Sequence, residues 1–132
     1  MPKFRVWNKK TESFIDYGDL ILNLKNGKVY AGDVGMPEYT IDVTKQVILM
    51  QYTGLKDKNG IEIFEGDILS YAMEEYEPST DTYVENRRHA EVKHYRGCFF
   101  ADYLLNVTLS DGRGVQVIGN VYENPELLEV SE

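Results

Sequence analysis

A chain of 132 residues with 22 acidic against 14 basic side chains carries a formal net charge of −8. That size suits one core, and that sign repels the phosphate backbone of nucleic acid at long range. No apolar run approaches the roughly 18 residues that span a bilayer, and Met1-Pro2-Lys3-Phe4 has no apolar signal core, so the expectation is a cytoplasmic protein without a membrane partner. With 42% apolar residues and ten tyrosines the composition favours strands, and a folded, mainly β protein is expected.

In chain order, Lys3-Phe4-Arg5-Val6-Trp7 alternates polar and apolar side chains as a half-buried strand does, and Asn8-Lys9-Lys10 follows as turn material. Short apolar stretches at residues 13–17 and 20–24 come next. Asn26-Gly27 is a hairpin signal that pairs residues 20–24 with residues 28–31. Residues 32–37, with two glycines and a proline, read as a connection. Strands are expected at residues 39–43, 47–52, 61–64 and 67–72, with Asp57-Lys58-Asn59-Gly60 as a tight turn among them. This close spacing suggests a small barrel or sandwich.

Residues 74–85 hold five acids around Pro78-Ser79-Thr80 and read as an exposed loop or hairpin tip. The sign then flips. Residues 86–96 carry Arg87, Arg88, His89, Lys93, His94 and Arg96 against Glu91 alone, in a pattern compatible with one long strand. Antiparallel pairing of the two arms sets opposite charges face to face, worth roughly 0.2–1 kcal/mol per pair. Strands at residues 98–102, 103–109 and 115–118 follow, with a hairpin turn at 111–114. Asn124-Pro125-Glu126 then reads as cap, first helical residue and first-turn acid of one short helix or 3₁₀ turn.

Few residues form a constellation with chemistry. Cys98, the sole cysteine, sits between Gly97 and Phe99-Phe100 and is expected as a buried free thiol. Asp57-x-Asn59-Gly60-x-Glu62 shares an acid, an amide and a glycine with calcium loops but lacks the terminal acid and flanking helices, which favours a plain turn. His89 and His94, five apart, fall on opposite faces of a strand and do not share a metal. No catalytic, cofactor or metal set emerges, and the expectation is a protein that is not an enzyme. The candidate binding surface is the basic arm, Arg87, Arg88, Lys93, Tyr95 and Arg96, whose cations and aromatic ring can contact phosphates and stack on bases. Neutralisation of the neighbouring acidic arm is the simpler role for these residues.

Three blocks carry a family likeness: Lys3-Phe4-Arg5-Val6-Trp7; Met50-Gln51-Tyr52-Thr53-Gly54-Leu55-Lys56-Asp57-Lys58-Asn59-Gly60 through Phe64-Glu65-Gly66-Asp67-Ile68; and Val117-Ile118-Gly119-Asn120-Val121-Tyr122-Glu123-Asn124-Pro125-Glu126-Leu127. In order and position they resemble the YopX family over essentially the whole chain. The resemblance implies a phage or prophage origin and self-association into a homo-oligomer. It also implies a single domain over residues 1–132, in which N-terminal strands at 1–49 pack on an SH3-like β-roll or small barrel at 50–132. It implies no activity and no cofactor, and leaves Thr53, Gly54, Asp57, Gly66 and Asp67 as turn and strand-entry positions. The functional expectation is a non-enzymatic interaction module with a bacterial host protein as a further partner. The alternative is a small β-barrel that binds nucleic acid through residues 87–96.

Overall fold

A computed structural model describes residues 3–15, 20–23, 25–32, 40–104 and 114–129. The protein is mainly β, with one short 3₁₀ turn near its C-terminus, and divides into two compact units, Met1–Gln51 and Tyr52–Glu132.

In the first unit, β1 (Phe4–Asn8) pairs with β2 (Ser13–Ile15), while β3 (Leu20–Leu22), β4 (Val29–Ala31) and β5 (Ile41–Asp42) form a second small sheet. The strand β6 (Val47–Lys56) lies against β1 through residues 47–51, with Val6 opposite Leu49. Val6, Val29, Val43 and Val47 make a buried core from both sheets, joined by Leu20, Leu22 and Leu49. Each fully buried side chain of this kind contributes about 1.5–3 kcal/mol.

The hairpin expected at Asn26-Gly27 forms, but not as a two-residue turn. Of Asn26 and Gly27 only Gly27 takes positive φ (72°), and the Asn23 amide donates to the Lys28 carbonyl at 2.9 Å, closing the hairpin. The Asn23 side chain accepts from the Lys25 amide at 2.9 Å, so the turn is nucleated by the asparagine before it. The expectations at residues 16–17, 24 and 33–39 lie outside the described residues.

In the second unit, residues 52–56 of β6 pair with β7 (Glu62–Phe64). The strands β8 (Asp67–Glu77) and β9 (Thr82–Glu91) form a ten-rung antiparallel ribbon running from Ile68 opposite Glu91 to Glu77 opposite Thr82. The strand β13 (Gln116–Asn120) pairs with β8 over Asp67–Ser70, and β10 (Lys93–Tyr95), β11 (Cys98–Ala101) and β12 (Tyr103–Leu104) make a second sheet. Residues 67–72 are buried on both faces, which is why they read as an apolar run without alternation. Ile63, Leu69, Tyr71, Ala90, Val92, Ala101 and Val115 form the core, with Met73 and Phe99 against it.

Of the two readings of residues 74–85, the hairpin tip is the one that forms: strands continue to Glu77 and resume at Thr82, leaving Pro78–Asp81 as the turn. The Glu77 carboxylate accepts from the Ser79 amide and hydroxyl, and those bonds hold its pKa below the usual value. Two expectations need correction, those for residues 86–96 and for Cys98. The long strand over 86–96 breaks at Val92. Arg96 and Gly97, both with positive φ (49° and 80°), turn the chain back so that Tyr95 faces Cys98. Cys98 is exposed, because it lies on the side of β11 opposite Phe99, and Phe99 is the neighbour that packs on the core. The strand and turn expected over residues 105–113 lie outside the described residues.

Candidate functional site

The five residues of the basic arm do not form one surface. Arg87 and Arg88 are adjacent on β9 and point to opposite faces, with Ala72 and Tyr71 as their cross-strand neighbours. The Arg88 guanidinium donates two bonds to one Glu75 oxygen, its Nε at 3.1 Å. That hydrogen bond and the Glu75 charge hold Arg88 more firmly protonated. The pairing is diagonal along the ribbon. Directly opposed charges, where they occur, are alike, as at Glu74 and Glu85. Arg96 stands 5.3 Å from the Tyr95 ring at the β10–β11 turn, and Lys93 lies beside Phe100 across the ladder.

Beyond the three rungs at Ile68–Ser70 that β13 covers, the ribbon is two-stranded among the described residues. Its tip bears Tyr76 and Tyr83, cross-strand neighbours whose rings meet edge-on at 5.6 Å, and Tyr83 is 70% exposed. The Tyr76 hydroxyl donates to Asp81 at 2.6 Å, which raises its pKa and fixes the ring's direction.

A different feature collects polar groups. A cleft of about 380 Å³ opens between β9, β10, β11 and the 3₁₀ turn Pro125–Glu129, lined by His89, Glu91, Lys93, Phe100, Asp102 and Leu128. His89 and Glu91 share a face of β9 by two-residue spacing. His89 Nδ1 is 2.8 Å from the Leu127 carbonyl, which only accepts, so the proton sits on Nδ1 and Nε2 is the nitrogen left for a ligand. Asp102 holds positive φ (67°), and its Oδ2 accepts from the hydroxyl of the core residue Tyr71. His89 is read above only against His94, and its two-residue spacing from Glu91 is the signal that would have placed both on one face. Phe100 and Asp102 arrive only because of the turn at Arg96-Gly97, and Leu128 because the 3₁₀ turn returns to β9.

A second cavity of about 100 Å³ in the first unit is lined by the apolar side chains of Phe4, Val6, Leu20, Leu22, Val29 and Leu49. Among the described residues no three His, Cys, Asp or Glu side chains group as a metal ion requires. No helix of the described residues is long and apolar enough to cross a membrane.

A family model described as YopX protein matches residues 3–129. The chain belongs to the YopX family. No curated protein matches it. The crystal structure of protein EF1440 from Enterococcus faecalis is 32% identical, with 97% of this chain and 98% of that one covered and a TM-score of 0.62.

The positions that carry the YopX likeness have structural work in this fold. Asp57 Oδ1 accepts from the amides of Asn59 (2.8 Å) and Ile61 (2.9 Å), and its Oδ2 from the amide of Val117, 60 residues away, at 2.9 Å. Burial raises the Asp57 pKa. The amide bonds from Val117, Ile61 and Asn59, with Lys58 nearby, outweigh it and hold the carboxyl below its usual value. Asp67, 1% exposed, accepts from the Phe64 amide at 2.8 Å. Gly66, at φ 87°, turns the chain so that its own amide reaches Val92 O and its carbonyl receives the Val121 amide. Thr53 donates to the Ile63 carbonyl at 2.7 Å, tying β6 to β7 beside Gly54 at φ 83°.

Proposed function

We propose that this YopX protein is a non-enzymatic interaction module of phage or prophage origin, acting in the cytoplasm of a bacterial host and associating with copies of itself through the β8–β9 ribbon. The observation that carries the reading is the distal half of that ribbon: two strands with exposed edges and an exposed aromatic pair at the tip. A two-stranded ribbon alone in water is marginally stable, and an open edge with an aromatic face is a template for a further strand. An SH3-like roll in the second unit fits this use, since small β-rolls commonly present their strands and loops to other proteins. A host protein docked on the same ribbon is the corresponding hetero-complex. The commitment of Arg88 to Glu75 and the overall charge of −8 weigh against nucleic acid.

Light scattering coupled to size exclusion tests the reading on the wild-type chain and on Tyr76→Ser with Tyr83→Ser. The expected result is an oligomer at tens of micromolar that the double substitution dissociates while the far-ultraviolet circular dichroism is unchanged. A monomeric wild type, or an oligomer indifferent to the substitutions, overturns it.

A further inference from the structure

We propose that the cleft between β9, β10, β11 and the C-terminal 3₁₀ turn binds a small zwitterion of the amino-acid class. Its lining carries both signs of charge, one cation at Lys93 and two carboxylates at Glu91 and Asp102, beside an apolar wall made by Phe100 and Leu128. Lys93 and Glu91 bring a cation and a carboxylate to the same opening, with the Tyr122 hydroxyl within electrostatic reach of Glu91. Asp102 is aimed: its backbone stands in the left-handed region, and Tyr71, fixed in the core, holds Oδ2. A strained, hydrogen-bonded carboxylate at a cleft is a pattern of ligand sites. His89 is aimed in the same way by the Leu127 carbonyl, with Nε2 left to accept a proton donor or, when protonated, to donate.

The combination selects among ligand classes. A simple anion meets Lys93 but also two carboxylates, and a simple cation meets the carboxylates but also Lys93. An α-amino acid satisfies all of them, its carboxylate on Lys93, its ammonium on Asp102 and Glu91, and its side chain against Phe100 and Leu128. The volume of about 380 Å³ is at the small end of ligand pockets and suits a molecule of this size with a few waters.

Calorimetric titration of the full chain with three probes tests the proposal: L-phenylalanine, phenethylamine, which lacks the carboxylate, and 3-phenylpropionate, which lacks the ammonium. L-phenylalanine is expected to bind roughly tenfold more tightly than either analogue, the worth of one charge-assisted contact. Lys93→Gln should erase the advantage over phenethylamine alone, and Asp102→Asn the advantage over 3-phenylpropionate alone. Glu91→Gln repeats the second test at a residue that does not touch Tyr71. Equal binding of the three probes, no heat from L-phenylalanine at millimolar concentrations, or a preference that survives the substitutions overturns the proposal.

Discussion

Replacing Asp57 by Asn preserves the shape of the side chain and tests the staple that joins the β6–β7 turn to β13. With the amide oxygen in the Oδ1 position, the Asn59 and Ile61 amides keep their acceptor. Nδ2 then faces the Val117 N–H across the 2.9 Å now spanned by a hydrogen bond, donor against donor. Rotating the amide by half a turn is no escape, because it strands two donors in place of one. One charge-assisted bond lost at a site only 7% exposed is worth about 2 kcal/mol, and two bonds weakened from a charged to a neutral acceptor add about 1 kcal/mol more. A total near 3 kcal/mol lowers the urea midpoint by roughly 2 M for a chain of this size. The pH dependence follows from the lowered pKa of Asp57: its stabilisation is present above the unfolded carboxylate value of about 4 and is lost as pH falls through the folded value. Urea unfolding followed by circular dichroism at pH 7 and pH 3 measures both effects. The variant should show a smaller loss between the two pH values than the wild type. An Asp57→Asn chain within about 0.5 kcal/mol of wild type at pH 7 refutes the reasoning.

Gly119→Ala sets a methyl group against Asn124, whose Cγ lies 2.8 Å from the built Cβ position, and should cost about 1–3 kcal/mol; thermal unfolding measures it, and Asn124→Gly in the same chain should recover part of the loss. Leu69→Ala opens a void at the centre of the second core and is expected to cost about 3–5 kcal/mol by urea titration. Cys98 should react fully with a thiol reagent in the native protein, without denaturant; protection until unfolding would contradict its exposure. Glu75→Gln should change stability little, and the change should fade as salt is raised, because the pair with Arg88 is solvent-exposed.

Local signals in the sequence account for much of the fold. Alternation in residues 3–7, the Asn26-Gly27 hairpin, the Asp57–Gly60 turn, the apolar run before residue 72 and the short C-terminal turn are all properties of neighbouring residues, and they determined β1, the β3–β4 pair, β7, the start of β8 and the 3₁₀ turn. Composition determined that the protein is mainly β. What the chain could not show locally is register. A slip of one residue moves a side chain to the other face of a sheet, and so the pairing of Arg88 with Glu75, the like charges at Glu74 and Glu85 and the exposure of Cys98 rest on long-range pairing that no short window contains. Asn124 shows the same limit: its side chain, read as a cap on the turn that follows, accepts backwards from the Asn120 amide at 3.3 Å. The cleft is the most tertiary feature of all. His89, Lys93, Asp102 and Leu128 span 40 residues of sequence and meet because a positive-φ turn at Arg96-Gly97 folds β11 onto β10 while the C-terminal turn returns to β9. Turn chemistry and alternation are written in adjacent residues; which charges share a cleft depends on strand pairing, and only the folded chain decides it.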